Sequence, residues 1–281
     1  MTSGVDGIKT FWWRKPGLTA TLPNFGDELT TQLAQRLFNR TCIRTPARRA
    51  DLIGSGSIVE MAQIGRAKPG LKVWGSGFMA DRQARKDLSF PDFDCYAVRG
   101  KLTRDRIRAD RDVALGDPGL LASRAYPRST TIPGKIGLVY HYVNKNDSAV
   151  RDAGRHAVTL IDPLRDPDAV TADITSCEFV FSSSLHGLIV ADSYGIPNAW
   201  VTFKRKLGGG SYKFDDYYSA FDGAATMISP DSVTDVAEIR RLERTYRGIP
   251  DLEEIQNRLI AAFPYSPSTA AGRTRTARAT T

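Results

Sequence analysis

Phe179-Val180-Phe181-Ser182-Ser183-Ser184-Leu185-His186-Gly187-Leu188-Ile189-Val190-Ala191-Asp192-Ser193 decides the fold class. An apolar strand runs into three serines, and an apolar helix begins at once, which is a strand-to-helix turn with almost no loop. The same alternation extends in both directions. Candidate strands are Ile8–Trp13, Leu52–Gly54, Lys72–Gly75, Cys95–Val98, Val113–Leu115, Lys135–Tyr140, Val158–Ile161 and Ala199–Thr202. Helical segments fill the gaps, notably Asp27–Asn39, where Leu29, Leu33, Leu37 and Phe38 recur at helical spacing, and Asp166–Ser176. Strands alternating with helices predict an α/β fold with parallel sheets.

The stretch RAYPRSTTIPGK, residues 124–135, carries two prolines and small polar residues, the composition of a connection. It predicts a first Rossmann-like domain over 1–123, a linker over 124–134 and a second Rossmann-like domain over 135–265. Helices over Ser232–Tyr246 and Leu252–Phe263 close the second half, and the basic tail 266–281 is too poor in apolar residues to order itself.

Hydrophobic residues at 41% and charged residues at 25% are ordinary for a globular chain and exclude collagen-like and coiled-coil classes. No apolar run approaches the roughly 20 residues that span a bilayer, and the N-terminus lacks a leader's cationic start and apolar stretch, so a cytoplasmic protein is expected. A net charge of +8 suits phosphorylated substrates or an anionic membrane surface. Nucleic acid is not expected, because no recognition module is present and aromatics do not interleave with the basic residues. Cys42, Cys95 and Cys177 are far apart, which argues for buried, reduced thiols and against a zinc site.

Several turns carry candidate chemistry. Asn24-Phe25-Gly26-Asp27-Glu28 opens a helix after an apolar strand, where Asn24 or Asp27 caps the helix and Gly26 lets backbone approach a ligand. The triplets Gly54–Gly56 and Gly75–Gly77 follow strands, but Val59 breaks the dinucleotide fingerprint and Ala80 meets only its loose form. Arg99 ends a strand and suits two-pronged binding of a small anion, or a surface ion pair with a carboxylate such as Asp105. Leu115-Gly116-Asp117-Pro118-Gly119 reads first as turn chemistry. Ser182, Ser183 and Ser184 offer hydroxyls and free N–H groups to a phosphate. His186, in the first helical turn, is disfavoured as imidazolium by the helix dipole and so is available as a base. His141 lies just past a strand and can face the cleft.

Taken together, NFGDE, VWGSGF, AVRG, ALGDPGLL and SSSLHGLIVADSYGIP, in this order and spacing, resemble the polysaccharide pyruvyl transferase family, above all its rhizobial exopolysaccharide branch. The likeness spans about residues 10 to 222. It implies two Rossmann-like lobes facing a cleft in a GT-B-like arrangement, phosphoenolpyruvate bound there as donor substrate, and a lipid-linked oligosaccharide or polysaccharide acceptor. No metal or further cofactor is expected, because positive side chains and helix N-termini can hold the phosphate, and Arg273, Arg275 and Arg278 of the tail suit peripheral contact with the inner face of the membrane, an inert end being the other reading. The likeness also implies that Arg99 is the family's donor-binding arginine, His186 the histidine of its L-H pair and Asp27 the acid of its N-terminal G-D pair. Many members carry arginine directly before L-H, where this chain has Ser184. Lys204, Arg205, Lys206 or Lys213, in the basic, glycine-rich stretch FKRKLGGGSYKFDDYY, are candidate replacements, and a mobile surface loop is the other reading of that stretch.

Ketal formation needs anion binders, an acid and a base. On this reading Arg99 and the serine turn anchor the donor, His186 transfers a proton, and Asp27 orients or deprotonates a sugar hydroxyl. A nucleotide-sugar glycosyltransferase shares the expected architecture, and a non-catalytic carbohydrate- or phosphate-binding protein is the reading from another class.

Overall fold

The computed structural model describes residues 7–14, 22–64, 66–81, 92–204 and 208–267. Strands β1 (Ile8–Phe11), β2 (Cys42–Arg44), β3 (Leu52–Ile53), β4 (Lys72–Ser76), β5 (Asp94–Val98) and β6 (Ala114–Leu115) form one sheet in the order β2-β1-β3-β4-β5-β6. Strands β7 (Ile136–Val139), β8 (Thr159–Ile161), β9 (Phe179–Ser182), β10 (Asn198–Val201) and β11 (Met227–Ile228) form a second, in the order β11-β10-β9-β7-β8. Every pairing is parallel. Every residue of β9 and β10 is buried, as expected of parallel strands covered on both faces.

The helices are α1 (Phe25–Phe38), α2 (Val59–Ile64), α3 (Lys101–Ile107), α4 (Ala122–Ala125), α5 (Ser148–Arg155), α6 (Pro167–Thr175), α7 (Leu185–Ser193), α8 (Tyr212–Ser219), α9 (Val236–Thr245) and α10 (Leu252–Ala261). The helix expected over Ser232–Tyr246 is shorter, because Asp235 accepts from the N–H groups of Ala237 and Glu238 and starts α9 there. Tyr212–Ser219 is not a loop: it is helix α8, and Lys213, Phe214, Asp216 and Tyr217 make its buried face.

Strand order reverses between β1 and β3 in the first sheet and between β7 and β9 in the second. Such switch points open crevices at the carboxyl ends of the strands, where open α/β sheets bind ligands. One apolar core joins the two halves. Leu29, Leu33 and Phe38 of α1 share it with Leu120 and Leu121, with Val170 and Ile174 of α6, and with Leu185, Leu188 and Ile189 of α7. The Phe25 N–H also donates to Pro163 O across the halves at 2.9 Å.

Helix α10, assigned by the sequence to the second domain, packs on the first sheet. Trp74 Nε1 donates to Leu259 O at 2.9 Å, Gln256 Nε2 donates to Leu120 O at 2.7 Å, and Phe263 stacks on Phe38 with ring centroids 3.9 Å apart. A carbonyl in the last turn of α10 thus satisfies the buried indole N–H of Trp74.

Candidate functional site

The first crevice is lined by the start of α1. Asn24 has extended backbone and its side chain accepts from Gly26 N at 3.0 Å, so it caps the helix. Gly26 then meets the imidazole of His186 so closely that a Cβ at position 26 would overlap the ring. Asp27, partly exposed, borders the same space. A Cβ on Gly56 would lie 3.1 Å from Asp27 Oδ1 and 3.8 Å from His186 Cε1, and the φ of 103° at Gly56 favours glycine there in any case.

The second crevice brings the serine turn. Ser182 Oγ lies 2.9 Å from Val139 O and 2.7 Å from Ser184 O, and accepts from Ser184 N at 3.0 Å. Ser183 Oγ accepts from His141 N at 2.8 Å and donates to Asn144 Oδ1 at 3.3 Å. These two hydroxyls tie β9 to the end of β7. Ser184, by contrast, begins α7 with no side-chain cap, leaving its hydroxyl and the first N–H groups of the helix at the positive end of the dipole. His141 caps a short turn, its Nδ1 accepting from Val143 N at 3.3 Å, and its ring lies against Tyr142 with centroids 4.3 Å apart. Tyr142 in turn bonds the Trp13 side chain and is close enough to Asp27 to feel its charge.

His186 is 8% exposed, and its Nε2 has no hydrogen-bond partner. Asp117 Oδ2 faces that nitrogen at 3.8 Å, while Asp117 Oδ1 accepts from Gly119 N at 2.9 Å. Burial holds the imidazole pKa below its ordinary value; Asp117 opposes this, and the charges of Lys213 and Arg99 add to it. Burial also pushes the Asp27 carboxyl up to about 7, with Lys213 opposing and Glu28 and Asp117 reinforcing. Lys213 is pushed down to about 8 by burial and by Arg99. A neutral imidazole thus stands beside a carboxyl that keeps its proton close to neutrality, an acid–base arrangement set by environment.

Arg99 is fully buried, and Gly77 makes room for its guanidinium. Nε donates to Asp216 Oδ2 at 2.8 Å, Nη1 to Ser57 Oγ at 2.6 Å and Nη2 to Phe78 O at 2.5 Å. Its charge is felt by His186 and Lys213, but its fork grips the protein. Lys204 is exposed, and Arg205 lies outside the described residues. Among the described residues, no three His, Cys, Asp or Glu side chains gather as a metal site would require.

The family model for polysaccharide pyruvyl transferase matches residues 24–205, a span that holds Asp27, Arg99, Asp117 and His186. The chain belongs to the polysaccharide pyruvyl transferase family. Two curated relatives of this pyruvyl transferase family member set its scale. Uncharacterized protein L143 of Acanthamoeba polyphaga mimivirus is 37% identical over 161 residues, covering 53% of this chain and 54% of that protein. Succinoglycan biosynthesis protein ExoV of Rhizobium meliloti (strain 1021) is 28% identical over 220 residues, covering 75% of this chain and 64% of that protein. The match therefore spans between half and two thirds of these relatives' own lengths. Among solved structures, a functionally uncharacterised Klebsiella pneumoniae protein aligns at a TM-score of 0.44 and 14% identity, covering 79% of this chain and 93% of that one.

For this pyruvyl transferase family member, two residues of the site escape a reading of the sequence. Asp117 reads as turn chemistry, although it stands two residues past strand β6, one position beyond the strand-end place that singles out Arg99 after β5. Asp216 gives no local signal, since its partner Arg99 is 117 residues away.

Proposed function

We propose that the chain forms a pyruvate ketal on a sugar of an exopolysaccharide precursor, with phosphoenolpyruvate as donor. The family match over residues 24–205 carries the reading, and the cluster of His186, Asp27 and Asp117 inside it supplies the chemistry. Phosphoenolpyruvate must gain a proton at its methylene carbon, and C2 must gain one sugar oxygen as phosphate leaves and then a second as the ring closes. Asp27, which holds its proton close to neutrality, donates to the methylene carbon. His186, neutral and with Asp117 behind Nε2, accepts the proton of the first attacking hydroxyl and passes it to the departing phosphate, and the Asp27 carboxylate left by its donation takes the proton of the second hydroxyl. This divides the work differently from the sequence expectation, which places the hydroxyl on Asp27. Free N–H groups at the start of α7 hold donor oxygens, so donor binding persists in the presence of a chelator.

The acceptor is a lipid-linked oligosaccharide or the polysaccharide itself, met by peripheral contact at the inner face of the membrane; no helix among the described residues is long and apolar enough to cross a bilayer. The test is incubation of purified protein with phosphoenolpyruvate and an oligosaccharide acceptor, following inorganic phosphate and the mass of a pyruvyl ketal. Turnover of a nucleotide sugar, with none of phosphoenolpyruvate, overturns the reading.

A further inference from the structure

Helix α8 presents four buried side chains, and three are accounted for by their neighbours. Phe214 stacks on Trp200 with centroids 4.0 Å apart. Tyr217 donates its hydroxyl to Asp192 Oδ2 at 3.0 Å. Asp216 receives Arg99 Nε at 2.8 Å, Thr103 N at 2.7 Å and Thr103 Oγ1 at 2.7 Å.

Lys213 is the exception. It is 5% exposed, and its ammonium makes no hydrogen bond and no ion pair among the described residues; its Nζ lies 5.1 Å from the centroid of the adjacent Phe214 ring. An ammonium held in a buried side chain without an ion pair is costly for a fold to keep. The charges around it do little to relieve it, since Asp27 attracts it while Arg99 repels it, and its own charge is felt in turn by His186. Lys213, Asp27 and His186 therefore lie within electrostatic reach of one another.

The helix is fixed in place before any ligand arrives. A Cβ on Gly100 would overlap the Asp216 carbonyl, and Lys101 N donates to Ser219 Oγ at 2.9 Å, so α8 is seated on the turn that joins β5 to α3. Arg99 thus positions Lys213 through Asp216, three residues further along the same helix.

We infer that Lys213 is the cation that binds the phosphate group of the donor, with Arg99 acting as a positioning residue for α8 rather than as the direct phosphate ligand. Residue 213 lies beyond the span matched by the family model, so the family match does not supply this assignment. The inference rests on the donor reading above, and its test separates the two. The full chain, Lys213→Met and Lys213→Gln are compared by thermal melt and by titration with inorganic phosphate and with phosphoenolpyruvate. The expected result is that both variants melt higher than the parent when no ligand is present, because an unpaired buried charge is gone, and bind phosphate at least about tenfold more weakly, as loss of a charge-assisted contact requires. Undiminished phosphate binding in either folded variant overturns the inference. So does a lower melting temperature in both variants, which would mean that the ammonium is already paired within the fold. If the parent binds phosphate but not phosphoenolpyruvate, the donor reading fails while the phosphate titration still decides the role of Lys213.

Discussion

Asp117 Oδ2 stands 3.8 Å from His186 Nε2, although Asp117 belongs to the first sheet's half and His186 to the second's. The contact exists because the turn that Asp117 caps, Pro118–Leu121, packs its leucines into the same core as the apolar face of α7. The contact therefore forms only when the two halves are assembled. The distance exceeds a good hydrogen bond, as is common before substrate tightens a site.

His186→Ala lowers turnover by about a hundredfold or more, the usual scale for loss of general acid–base catalysis, while the protein stays folded. Asp117→Asn produces a smaller loss. Because Asp117 raises the imidazole pKa, its neutralisation moves the acid limb of kcat/KM to lower pH. Steady-state kinetics against pH, with a thermal melt of each variant, decide both points. Near-normal turnover in a folded His186→Ala protein removes His186 from the mechanism.

Gly26→Ala sets two effects against each other. Alanine gains up to about 1 kcal/mol of helix propensity over glycine, but the new methyl overlaps the His186 ring, and overpacking costs typically about 1–3 kcal/mol. The clash wins, so stability falls slightly and activity falls nearly as far as in His186→Ala. A crystal structure of the variant with an undisplaced His186 ring would count against this.

Arg99→Ala leaves the Asp216 carboxylate buried and unpaired, which costs about 3–5 kcal/mol. Donor binding and stability decline together if Arg99 acts through α8. Denaturant melts and phosphoenolpyruvate titration on the same samples test this. Lost binding with unchanged stability would restore the direct donor contact that the sequence suggests for Arg99.

Asp27 makes stability fall as pH rises. Its carboxyl is displaced from 3.8 to about 7 in the folded chain, so between these values the native state holds a proton that the unfolded state has lost. The contribution is complete below about pH 4 and gone above about pH 7. At about 1.4 kcal/mol per pKa unit, less the screening at its exposed edge, the loss is on the order of 1–3 kcal/mol. Asp27→Asn removes this slope, so its melting temperature gains on the parent's between pH 4 and pH 8. Parallel curves for the two proteins would show that Asp27 titrates normally.

Local sequence determined whatever depends on neighbours along the chain. Apolar runs broken by helical periodicity gave the parallel α/β class, and Asn24 and Ser184 marked helix starts that lie at the two crevices. Strands β2 and β11 passed unnoticed because both are edge strands with little buried apolar surface, Ile43, Arg44 and Met227 being exposed, so no apolar run marks them. The chemistry of the site was legible only in part. His186 and Asp27 stand out because each sits at its own strand-to-helix turn, but no local feature says that Gly26 abuts the imidazole or that Asp117 faces it. Arg99 has the sequence of an exposed anion binder, and only the tertiary structure buries it. A guanidinium can leave water when its counter-charge is delivered to it, and here that charge comes from Asp216, 117 residues away. Lys213 is buried by the same docking of α8 without receiving such a partner. Which cation is spent on the fold and which is left for a ligand is thus set by long-range pairing, which the periodicity of a single segment does not encode.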